Sequence, residues 1–139
     1  MSGGPDRASI ALSRLAHTWL IDIDGTIFAH NPRLSGDHDG LDAGLEDTLL
    51  PGVAQFWESL PDEDCIILLS ARHPRYRTMT ESALRAHGLR YDEIILGLPK
   101  GERLLLNDVK PGGLLTAHAV NLGRDAGLSG LTFHIDPKL

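Results

Sequence analysis

Three short apolar runs in this chain each break off at polar residues. Residues 18–23 carry Asp22 and stop at Asp24-Gly25-Thr26, residues 65–69 stop at Ser70, and residues 103–106 stop at Asn107-Asp108. Runs of this length, closed by turn residues such as Asp-Gly, read as buried strands. Two carboxylates one residue apart at a strand end do not serve core packing. They concentrate negative charge and need a cation, a proton or hydrogen-bond donors beside them.

Helical stretches separate the runs. Pro51-Gly52 opens a predicted helix to about residue 60, with Val53, Phe56, Trp57 and Leu60 on one face. A second is expected over residues 75–87, gathering Met79, Ala83 and Leu84, with Gly88 as its stop. Further strands are expected at 92–96, 117–122 and 131–135. This alternation implies parallel strands joined by crossovers, an α/β, Rossmann-like three-layer sandwich around a mainly parallel central sheet. Ligands of such sheets collect outside the carboxyl ends of the strands, where the polar residues named above lie.

Residues 1–8, with Gly3, Gly4 and Pro5, read as a flexible tail, and residues 9–139 as one domain. Residues 28–50 lack a clear period, and a loop of that length suits a flap over a site. The acidic part of that loop fails the spacing of a calcium loop. A formal charge of −6 argues against non-specific nucleic-acid binding and against an anionic membrane surface. No run reaches transmembrane length, and no secretory signal pattern is visible. Cys65 is the single cysteine and has no internal partner, so a buried thiol in a cytoplasmic protein is expected.

The Asp22-Ile23-Asp24-Gly25-Thr26 stretch resembles the first motif of the haloacid dehalogenase-like hydrolase superfamily. Leu68-Leu69-Ser70 resembles the second motif, and Leu105-Leu106-Asn107-Asp108 the fourth. The resemblance implies a small, nearly capless phosphatase that forms an aspartyl-phosphate. Asp22 would be the nucleophile and Asp24 the general acid and base, with Thr26 orienting Asp24. Mg2+ would be held by Asp22, Asp24 through its backbone carbonyl, and Asp108. Gly25 would admit phosphate to the backbone amides, and Ser70 and the Ala71 amide would hydrogen-bond its oxygens.

The third motif departs from the superfamily pattern. Lys100 is the chosen charge-balancing cation, only eight residues before Asp108, with Arg72 and Lys110 as rivals. Arg72, Arg75 and Arg77 follow the second motif closely and suit an anionic substrate, with Arg72 the favoured phosphate contact. A small phosphorylated substrate is expected, a sugar phosphate first, with no nucleic-acid or membrane partner and with room for a homo-oligomer. The alternatives are a non-catalytic phospholigand-binding or regulatory domain on the same fold, or a phosphotransferase or mutase.

Overall fold

The pairing of β2 (Thr18–Asp22) with β3 (Cys65–Leu69) sets the architecture. These strands run parallel, with Trp19 opposite Ile66, Ile21 opposite Leu68 and Asp22 opposite Leu69. Strand β4 (Glu93–Ile95) adds in parallel on the far side of β3, placing Ile94 opposite Leu68. Period-2 alternation then sorts the side chains. Ile21, Ile66, Leu68 and Ile94 lie in the core, whereas Leu20 and Ile95 on the other face remain exposed. The computed structural model describes residues 8–34 and 46–139.

Two helices supply the crossovers. Helix α1 (Val53–Ser59) buries Val53, Phe56 and Trp57. Its N-cap, Gly52, has φ 78°, and a Cβ there would fall 2.5 Å from the Ser129 backbone nitrogen, so the entry turn requires glycine. A short 3-10 turn, Pro74–Tyr76, leads into helix α2 (Arg77–Ala86), which buries Thr80 and Leu84. Phe28, Val53, Phe56, Trp57, Leu60, Leu84 and Leu89 join the sheet residues in one cluster. Leu34 and Tyr76, backed by Met79, form a second, smaller cluster.

The architecture is α/β with parallel strands, but in two small sheets. Strand β1 (Ala8–Leu12) pairs in parallel with β5 (Leu131–Ile135), apart from the order β2-β3-β4. Strand β1 begins at the edge of the expected tail; residues 1–7 lie outside the described residues, as do residues 35–45 of the expected flap.

The strands expected at 103–106 and 117–122 are not formed, so the single central sheet of a three-layer sandwich is absent among the described residues. Leu104 is 86% and Leu106 92% exposed. A strand is held by its neighbour's ladder, and a leucine run without β-branched residues has little preference of its own. The hydrogen bonds here are local: the Lys110 amide donates to the Leu114 carbonyl at 3.0 Å, and Asn107 Nδ2 donates to Thr116 Oγ1 at 3.0 Å. No helix among the described residues is long and apolar enough to cross a membrane.

Candidate functional site

Because β2 and β3 are parallel and adjacent, their carboxyl ends bring Asp22, Asp24 and Ser70 together. The chain leaves β2 through a tight turn: Gly25, at φ 84°, donates its amide to the Phe28 carbonyl at 2.7 Å. The Ile23 carbonyl accepts from the Ile27 amide at 2.9 Å, so the turn is fixed by its own backbone.

Asp22 is the reachable carboxylate, 36% exposed, and one of its oxygens accepts from Arg103 Nη1 at 2.7 Å. Its other oxygen accepts from Thr26 Oγ1 at 3.2 Å, so Thr26 orients Asp22 and not, as expected, Asp24. Asp24 lies deeper, 15% exposed. Its carboxylate accepts from Ser70 Oγ at 2.8 Å and from Arg72 Nε at 3.0 and 3.2 Å.

Arg72 organises the interior of the site. Its side chain is fully buried and also donates to Asp47 through both terminal nitrogens and to Thr80 Oγ1 at 2.9 Å. The guanidinium carbon sits 5.8 Å from the Phe28 ring centroid. Burial alone would make the guanidinium easier to deprotonate, but the hydrogen bonds and charges of Asp47 and Asp24 outweigh it and shift Arg72 the other way. A buried arginine with two carboxylate partners is a rigid positioning device whose value lies in geometry more than in net stability.

Ser70 is buried, and its hydroxyl also accepts from the Arg72 amide at 2.9 Å. It therefore braces Asp24 and Arg72 in this structure, where a phosphate contact was expected. Ala71 lies between these residues and is partly buried. Asp47 lies in the described part of the expected flap, which resumes at Glu46. Its neighbours tie back to the β2 turn, the Ala29 amide donating to the Thr48 carbonyl and the Leu50 amide to the Ile27 carbonyl, each at 2.9 Å.

The remaining expected residues are not gathered here. Lys100 and Lys110 are exposed and make no ion pair among the described residues. The cations on the carboxylates are Arg103 and Arg72. Asp108 is exposed, its carbonyl accepting from the Thr116 hydroxyl. The strand at 103–106 that was expected to carry it to the sheet edge is not formed.

No group of three or more His, Cys, Asp or Glu side chains is placed for a metal among the described residues. The Asp24 carboxylate is engaged by Ser70 and Arg72, and the resemblance assigns magnesium to its backbone carbonyl, beside the Asp22 carboxylate.

Sequence reasoning missed Arg103 and Asp47. Arg103 lay inside an assumed strand, where a lone basic residue carries little signal. Asp47 was one of several acids in a loop, and nothing in the sequence marks which of them meets Arg72. Comparison with family models, with curated proteins and with solved structures found no match.

Proposed function

We propose that the chain is a phosphomonoesterase of the haloacid dehalogenase type that works through an aspartyl-phosphate. The observation that carries this reading is a reachable carboxylate, Asp22, at a parallel strand end beside a braced second carboxylate, Asp24. In this reading an Asp22 oxygen attacks phosphorus, the ester P–O bond breaks, and the leaving oxygen takes a proton from Asp24. Water then adds at phosphorus, Asp24 receives its proton, and the Asp22 carboxylate is released with inorganic phosphate. Arg103 reduces the repulsion between Asp22 and the phosphate dianion and can exchange its carboxylate partner for a phosphate oxygen. Arg72 and Ser70 position Asp24.

A sugar phosphate remains the leading substrate class from the sequence resemblance. The test is phosphate release from an aryl phosphate by the wild-type chain and by Asp22→Asn, each with and without magnesium. Release that depends on Asp22 supports the reading, and undiminished release by Asp22→Asn removes it. The magnesium arm decides separately whether the ion expected from the resemblance is needed.

The second reading, a phospholigand-binding domain without turnover, draws on the fact that both carboxylates already carry a guanidinium partner. It predicts thermal stabilisation by a phosphate ester with no release of phosphate.

A further inference from the structure

A second segment is docked against the Asp24-Gly25-Thr26 turn from the far end of the sequence. The Asp125 amide donates to the Gly25 carbonyl at 2.9 Å, and Asp125 Oδ1 accepts from the His30 amide at 2.7 Å. The turn is closed by the Ala126 amide on the Gly123 carbonyl at 3.1 Å. Asp125 has φ 63°, the one non-glycine residue with positive φ among those described. A left-handed aspartate is held only when its surroundings over-determine it, and here two hydrogen bonds across the turn do so.

The consequence is the placement of Arg124. Its side-chain stem lies over Gly25, so close that a Cβ on Gly25 would fall 3.2 Å from Arg124 Cγ. The guanidinium has no hydrogen-bond or ion-pair partner among the described residues. Arg72 and Arg103, by contrast, are spent on Asp24, Asp47 and Asp22. Arg124 is exposed, and a planar, always-charged fork with unused donors on a stem that crosses Gly25 matches a carboxylate or phosphate.

The geometry points to Arg124 as the recognition group for a second anion on the substrate. The substrate class is then a small phosphomonoester that carries a carboxylate or a second phosphate a few atoms from the reacting group. This deepens the phosphatase reading and rests on it for the word substrate, but the anion contact itself is a matter of binding.

The experiment measures affinity by calorimetry for three probes: ethyl phosphate, 2-phosphoglycolate and an alkyl bisphosphate. The proteins are the wild type, Arg124→Gln and Arg124→Lys, with phosphate release followed in parallel. The wild type should prefer at least one doubly anionic probe over ethyl phosphate by about tenfold or more, the effect of one charge-assisted hydrogen bond. Arg124→Gln should bring that ratio close to one, and Arg124→Lys should restore part of it. Which probe gains identifies the second anion as carboxylate or phosphate. Absence of a preference in the wild type, a preference that survives in Arg124→Gln, or failure of all three probes to bind overturns the inference. If the ratio collapses as expected while no probe is hydrolysed, the anion contact stands and the phosphatase reading falls.

Discussion

The two ends of the β2–β3 pair both hold a buried polar network, and they differ in whether the network is closed. At the amino end, Asp64 accepts from the His17 amide at 3.0 Å, pairs with His17 Nδ1 at 2.8 Å, and accepts from Trp19 Nε1 at 2.9 Å. The other ring nitrogen of His17 lies 2.9 Å from the Ser13 carbonyl. The Asp64 side chain is fully enclosed, and nothing from solvent can reach it. At the carboxyl end Asp24 is braced in a similar way, but Asp22 beside it is open to solvent. A carboxylate at a strand end can thus fasten two strands or meet a ligand, and access separates the two roles.

The largest effect should fall on the open end. Asp22→Asn is expected to lower phosphate release by at least roughly a thousandfold. Its unfolding temperature should stay close to that of the wild type, since the side chain is more than a third exposed and asparagine keeps its size. A parallel loss of stability and activity would erase the distinction between the two ends.

Arg72→Ala comes next. It leaves Asp24 and Asp47 without their buried cation and should cost about 3–5 kcal/mol in chemical denaturation, the loss expected when a buried pair is broken. At the closed end, Asp64→Asn should cost about 2–3 kcal/mol and leave kcat unchanged. A fall in kcat with KM constant would show that the amino end also communicates with the site.

Acid offers a graded version of the same comparison. Burial alone would raise the Asp64 carboxyl, but the hydrogen bonds from Trp19 and from the His17 backbone and ring outweigh it and hold it below the usual carboxylate range. A carboxyl that is easier to ionise when folded stabilises the fold above its unfolded pKa. That contribution is lost as pH falls through the folded value, so stability should decline below about pH 4. Asp64→Asn should flatten that decline. The smallest effect is expected from Lys100→Ala, within about twofold in kcat/KM, because Lys100 reaches neither carboxylate. A large loss there would return Lys100 to the site in place of Arg103.

The elements that formed where the sequence placed them carry strong local signals. The apolar runs at 18–23 and 65–69 stand beside each other, and Pro51-Gly52 opens α1 with Val53, Phe56 and Trp57 facing inward. The run at 103–106 looked equally apolar and did not form a strand, because ladder hydrogen bonds come from a neighbour and hydrophobicity alone does not supply one. Strand β1 escaped notice for the converse reason: Ala8–Leu12 is short and mixed, and its pairing with β5 joins segments more than a hundred residues apart.

The sequence by itself determined that two carboxylates, a tight Asp-Gly turn and a strand-end serine would meet. These features are local, and adjacent parallel strands put them at one edge. Only the tertiary structure decided which cations would answer those carboxylates. Arg103 on Asp22, Arg72 between Asp24 and Asp47, and Arg124 over Gly25 are arginines delivered by different segments. Charge pairing at a site depends on where the chain returns in space, and no spacing along the sequence encodes that return.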